Sequence, residues 1–184
     1  MKTTETTRRR PYNFGMPYRT AAALLGIALA LPRPASAEPL KVGDPAPQAT
    51  SVDQEGRPVE LSRLYGSGWT LVYFYPKADT PGCTAEACSL RDAFADLTKK
   101  GVTVVGVSAD TPKEQKAFQE KYHLPFTLIA DHEKNVIKAF GVPTTMGFAS
   151  RQSFLIKDGK IVWRDLHAST KQQAADILKA VSAG

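Results

Sequence analysis

Cysteine and histidine are both scarce in this chain, at two and three residues among 184. The histidines, His123, His132 and His167, are scattered, and neither C-x-x-C nor H-x-x-x-H spacing occurs. A zinc site, which needs four organised ligands at such spacings, is therefore not expected. There is no glycine-rich phosphate loop and no dinucleotide fingerprint, so no nucleotide cofactor is expected either. No apolar run approaches the ~20 residues that cross a bilayer, and the longest candidate, Ala21 to Leu31, falls well short. Internal repeats, low-complexity blocks and long linkers are absent as well. What is left is the pattern of one ordinary domain with one core.

The formal charge of +6 is concentrated at the N-terminus. Residues 1–37 carry Lys2, Arg8, Arg9, Arg10, Arg19 and Arg33 against Glu5, which is six basic groups to one acidic. The remaining 18 basic and 17 acidic residues leave the rest of the chain at +1. A basic stretch, the apolar run and Ala35-Ser36-Ala37 are the three parts of a secretory signal peptide, with cleavage expected between Ala37 and Glu38. A nucleic-acid-binding tail would not need an apolar stretch ending in A-x-A. The export route stays open, because Pro11 follows the arginines of a possible twin-arginine signal and Met16 is an alternative start. Residues 38–184 are thus expected to be an exported domain, periplasmic in a Gram-negative source, with no membrane attachment and no nucleic-acid surface. An exported domain occupies a compartment where disulfides persist.

Short strands are expected near 48–52 and 58–61 around the turn Asp53-Gln54-Glu55-Gly56. Thr70 to Tyr75 is a nearly continuous apolar run, as in a strand buried on both faces. Residues 82–99 read as one helix, with Ala87, Leu90, Phe94 and Leu97 at helical spacing and Gly101 closing it. Strands at 102–108 and 126–129 flank a helix capped by Asp110 or Thr111 and running to about Tyr122. Asp131 begins a short helix that ends before Gly141. Residues 153–156 and 160–163 around Asp158-Gly159 form a hairpin, and a last helix runs from about Ser169 to Val181. Alternating central strands and helices predict an α/β fold, a mixed and mostly parallel sheet covered on both faces, with an N-terminal β-hairpin extension. A strand, a turn, a cysteine and a helix at the first crossover fit a thioredoxin-like architecture.

The two cysteines lie five residues apart, directly after the aromatic strand, in Tyr73-Phe-Tyr-Pro-Lys-Ala-Asp-Thr-Pro-Gly-Cys-Thr-Ala-Glu-Ala-Cys88. A thiol at a helix N-terminus is near the positive end of the dipole, which favours thiolate. A second thiol nearby can capture what the first becomes. Five residues of ideal helix put the two Cα atoms roughly 8.7 Å apart, and a disulfide needs less than ~7 Å. The first turns must therefore unwind before the pair can bond, which counts against a static structural disulfide. Glu86, between the cysteines, reads as an exposed first-turn acid that favours the dipole.

The segment Pro76-Lys-Ala-Asp-Thr80-Pro-Gly-Cys83 has the pattern P-x-x-x-T-x-x-C, and here the chain resembles the peroxiredoxins. It is most similar to the bacterioferritin comigratory protein, or peroxiredoxin Q, group. The resemblance covers residues 40–182, including Gly43-Asp-Pro-Ala-Pro47, the T-P-G-C-T-x-x-A-C core and Arg151-x-Ser-Phe-Leu-Ile156. It implies that Cys83 is the peroxidatic cysteine and Cys88 the resolving cysteine of the same chain. It also implies that Thr80 and Pro76 line the peroxide pocket and that Arg151 approaches the sulfur from a later strand. On that reading Thr80, the Cys83 amide and Arg151 donate hydrogen bonds along the S–O–O line as charge develops there. The activity implied is reduction of hydrogen peroxide or small organic hydroperoxides, without metal, haem or flavin. A thioredoxin-like dithiol returns the electrons, and the chain is a monomer. A disulfide reductase would be expected to carry C-x-x-C, and a non-enzymatic domain would need only a structural bond.

Overall fold

The structure is a computed structural model in which residues 39–66 and 68–183 are described, so the expected signal segment 1–37 lies outside the described residues. Its centre is one seven-stranded mixed sheet. The elements in chain order are β1 (Thr50–Asp53), β2 (Pro58–Glu60), β3 (Trp69–Phe74), α1 (Pro81–Asp92), α2 (Phe94–Lys99), β4 (Val102–Ser108), α3 (Pro112–Tyr122), β5 (Thr127–Ala130), α4 (Asn135–Ala139), β6 (Thr144–Thr145), β7 (Phe148–Ala149), β8 (Gln152–Lys157), β9 (Lys160–Asp165) and α5 (Gln173–Ala183). The sheet order is β2-β1-β5-β4-β3-β8-β9. The two pairings made by β4, with β3 and β5, are parallel and the four outer pairings are antiparallel, so the sheet is mixed as expected but not mostly parallel. The N-terminal hairpin therefore continues the main sheet at its β5 edge.

Successive side chains of a strand point to opposite faces, and β3 shows this most clearly. Leu71, Tyr73 and Tyr75 pack with Cys83, Leu90, Leu97, Phe118 and Ile177 under α1, α2, α3 and α5. Val72 and Phe74 pack on the other face with Val136, Ile137, Phe140 and Phe154, under α4 and a 3-10 turn at Leu61–Leu64. Leu71 to Phe74 have no exposed surface at all, as the continuous apolar run requires. α3 starts with a reciprocal cap: Glu114 N–H donates to Thr111 Oγ1 at 3.4 Å, and Thr111 N–H donates to Glu114 Oε2 at 2.9 Å. The β8–β9 hairpin turns through Asp158 and Gly159, both at positive φ, the backbone that an Asp-Gly turn is suited to.

Several boundaries differ from the sequence reading. The helix expected over 82–99 is two helices, broken at Ala93, which sits at φ −93°, ψ 4°. Leu90 and Leu97 are both fully buried, so the apolar spacing runs straight across the break and does not reveal it. Asp131 does not begin α4; its buried Oδ2 accepts the Ile137 N–H at 2.8 Å instead, while Lys134 turns the chain at φ 60°. Residues 169–172 form a turn around the Ser169 hydroxyl, which accepts from the amides of Lys171 and Gln172, and α5 begins only at Gln173. The two-residue strands β6 and β7 are too short to carry a periodic signal, and the sequence did not predict them.

Candidate active site

The site is assembled where β3 ends. Tyr75 extends the strand by one bond, its N–H donating to Val107 O at 3.1 Å. Pro76, which has no N–H to give, stops the ladder and lies half-buried. Asp79 then takes a left-handed backbone, φ 58°, a conformation that aspartate tolerates better than most residues. Its carboxylate accepts from Lys121 Nζ at 2.7 and 2.8 Å and from the Tyr122 hydroxyl at 2.6 Å. Thr80 is the extended N-cap of α1, and Pro81 follows at the first helical position. The first intrahelical bond runs from Thr84 N–H to Thr80 O at 2.8 Å. The amides of Gly82 and Cys83 therefore lie ahead of it, at the positive end of the helix.

The register of β8 on β3 delivers the cation. Gln152 stands opposite Phe74, so Arg151, the residue before β8, arrives beside the loop that leads to Cys83. Its Nη2 donates to Cys83 Sγ at 3.3 Å, and Nη1 donates to Glu86 Oε2 in a close contact. The sulfur is almost wholly enclosed, with Cys83 2% exposed. Gly82 makes room for the guanidinium, since a Cβ there would stand 3.3 Å from Arg151 Nη2 and force it to shift. The structure thus brings Cys83 and Arg151 together across 68 residues of sequence.

Two expectations need correction. Glu86 is not an exposed first-turn acid; it has no exposed surface, and its Oε1 has no hydrogen-bond partner. Burial pushes its carboxyl up to about 8, against the pull of the Arg151 guanidinium. The signal was in the spacing: Cys83, Glu86, Ala87 and Leu90 fall at i, i+3, i+4 and i+7, a single helix face, and all four are buried. The partner that makes this burial tolerable lies 65 residues away and is invisible to local reading. The second correction concerns Thr80. Its hydroxyl donates to Lys77 O at 2.9 Å, so its one proton is committed to the loop. In this arrangement the Thr80 hydroxyl can only accept a further hydrogen bond, where the sequence reading expected it to donate one.

Cys88 is partly exposed on the same helix, and both thiols are free. With both residues inside α1, ideal helix geometry again puts their Cα atoms roughly 8.7 Å apart. No group of three or more His, Cys, Asp or Glu side chains that could hold a metal occurs among the described residues. Nor is any described helix long and apolar enough to cross a membrane.

Comparison with known proteins bears on this geometry. The AhpC/TSA family model matches residues 42–164. Peroxiredoxin Bcp of Escherichia coli K12 is 47% identical over 131 residues, which cover 67% of this chain and 83% of that protein. The chloroplastic peroxiredoxin Q of Sedum lineare is 43% identical over 122 residues, and the match spans 65% of each chain, a little under two thirds of the plant protein's length. Among solved structures, peroxidoxin BcpB of Mycobacterium tuberculosis superimposes with a TM-score of 0.74 at 32% identity, covering 78% of this chain and 97% of that one.

Proposed function

Because the chain belongs to the AhpC/TSA family, as a peroxiredoxin of the Bcp and Q kind, we propose that it reduces hydrogen peroxide and small organic hydroperoxides through Cys83, with Cys88 as the resolving thiol. The Cys83 thiolate attacks the terminal oxygen of ROOH. The S–O bond forms as the O–O bond breaks, RO⁻ leaves and takes up a proton, and Cys83 becomes a sulfenic acid. The Cys88 thiol then condenses with it to a disulfide, releasing water. A thioredoxin-like dithiol reduces that disulfide by exchange and is itself oxidised. The observation that carries the reading is the Arg151 guanidinium, which holds Cys83 Sγ through one nitrogen and Glu86 through the other at the start of α1. That fork places a fixed positive charge where charge moves during attack. Pro76 shields the sulfur, and Thr80 receives the peroxide O–H.

The two rival readings have less support. Both thiols are free and lie within one helix, which does not suit a structural disulfide. Removal of residues 1–37, export to a periplasm in a Gram-negative source, no membrane attachment and a monomeric state with an intrachain resolving cysteine complete the proposal. Mass spectrometry of the exported protein, before and after one equivalent of peroxide, tests these points together. It should give a chain starting at Glu38 and a loss of two hydrogens on oxidation, with catalytic peroxide consumption when a dithiol is added. An exported protein that retains residues 16–37 would remove the signal segment. One that consumes no peroxide with a dithiol present would remove the peroxidase.

A further inference from the structure

Behind the loop that leads to Cys83 lies a buried polar network that the proposed reaction does not yet use. The Tyr75 hydroxyl donates to Gln115 Oε1, and Gln115 Nε2 donates to Ser108 Oγ at 2.8 Å and to Ile129 O at 3.0 Å. Ser108 Oγ donates to Asp110 Oδ2 at 2.7 Å. Tyr75, Gln115, Ser108 and Asp110 are all at least 95% enclosed. Burying so many polar groups is unfavourable unless each is satisfied, and a satisfied network is rigid. The outer end of the chain of bonds is the loop. Asp110 Oδ2 accepts the Ala78 N–H at 2.8 Å, and Asp110 Oδ1 accepts from Lys77 Nζ at 3.2 Å.

Lys77 and Ala78 share the peptide whose carbonyl, Lys77 O, receives the Thr80 hydroxyl proton. Asp110 holds that peptide through the Ala78 N–H and steadies the Lys77 side chain with its other oxygen. The direction of Lys77 O therefore depends on Asp110, and the Thr80 hydroxyl points where that carbonyl lets it. We propose that Asp110 is a positioning residue for the peroxide step and acts through Thr80. A hydroperoxide carries its only O–H on the terminal oxygen, the one that the thiolate attacks. Acceptance of that O–H by Thr80 turns the O–O bond into line with the sulfur. A carboxylate that never touches substrate thus sets the angle of approach. This inference rests on the peroxidase reading of the site.

The test is a double-mutant cycle between Asp110→Ala and Thr80→Val. Two rates are read on the reduced full chain: oxidation of Cys83 by hydrogen peroxide and its alkylation by iodoacetamide, which needs no peroxide alignment. Asp110→Ala should slow peroxide oxidation by ~10-fold or more, since misplacing a reactant by an ångström can cost up to ~100-fold. Alkylation should change by less than ~2-fold, because the cation at the sulfur is untouched. In the Thr80→Val background the same substitution should cost less than ~2-fold, the sign that both act as a unit. Asp110→Asn can still accept the Ala78 N–H through its one oxygen and should restore most of the rate. Equal losses in both backgrounds, alkylation falling in step with oxidation, or an asparagine variant as slow as the alanine one would each overturn the proposal. If Asp110→Ala does not fold, Ser108→Ala, which removes one bond to Oδ2 and leaves the carboxylate, should give a smaller loss with the same selectivity. An unchanged peroxide rate there would overturn it too. A wild-type chain that fails to consume peroxide would sink the peroxidase reading itself, a different outcome from an additive cycle on an active enzyme.

Discussion

Glu86→Gln should flatten the pH dependence of stability. The wild-type carboxyl is held at about 8 in the folded chain by burial, against 4.5 as its ordinary value. Below 4.5 both folded and unfolded states carry the proton, and the stability is fully present. As the pH rises towards 8 the unfolded chain gives up its proton while the folded one keeps it, so unfolding gains at the expense of folding. Above about 8 the loss is complete and the curve levels. At ~1.4 kcal/mol for each tenfold change in proton affinity, the gap amounts to on the order of 5 kcal/mol. Glutamine keeps the shape and an acceptor for Arg151 but cannot titrate. Urea unfolding at several values from pH 5 to pH 9, with both proteins in a Cys83→Ser background so that the sulfur does not titrate, isolates the effect. Wild type should lose on the order of 3–5 kcal/mol more than the glutamine variant across that range. Groups common to both proteins cancel in the difference. Parallel curves would refute the reasoning, because a carboxyl that titrates alike folded and unfolded has no coupling to the fold.

Cys83→Ser should abolish peroxide reduction, whereas Cys88→Ser should consume one equivalent and stop at the sulfenic acid, as intact mass would show; full turnover by Cys83→Ser would reverse the roles. Arg151→Lys retains charge but loses the planar fork that reaches Cys83 and Glu86 at once. It should lose about 100-fold in the peroxide rate, the scale seen when one fixed donor is removed from a transition state; an unchanged rate in Arg151→Ala would take the residue out of the site. Hydrogen exchange should speed up within residues 82–89 when the disulfide forms, because the amides there lose helical partners. Equal protection in both redox states would mean that the cysteines meet without unwinding.

Much of the fold was legible because its signals are local. Thr111-Pro112 announces its helix, Asp158-Gly159 announces its hairpin, and the unbroken apolar run of β3 announces a strand covered on both sides. Cys83 could be placed at a helix start for the same reason, as Thr80 and Pro81 suit the cap and first position of a helix. Features that depend on distant partners were harder to read. Glu86 is buried because Arg151 reaches it from β8, and nothing near Glu86 in sequence states that. The orientation of the Thr80 hydroxyl depends on Lys77 O, which depends in turn on a carboxylate more than thirty residues away. Ala93 was missed for the opposite reason: the burial pattern stays helical while the backbone does not.

The buried carboxyl of Glu86 also ties electron flow to proton flow. Unwinding of the first turns of α1 would carry it from the core into water, where its proton affinity falls back to the ordinary carboxylate value of 4.5. At neutral pH the disulfide form would then hold Glu86 ionised and the dithiol form would hold it protonated. Each reduction would take up one proton more than the sulfurs themselves take up, and each oxidation would release it. The midpoint potential should therefore fall more steeply with pH between about 4.5 and about 8 than on either side, which a redox titration across that window would show. Mild acid would favour the folded, peroxide-ready form, so the protein's redox poise would follow the acidity of its surroundings.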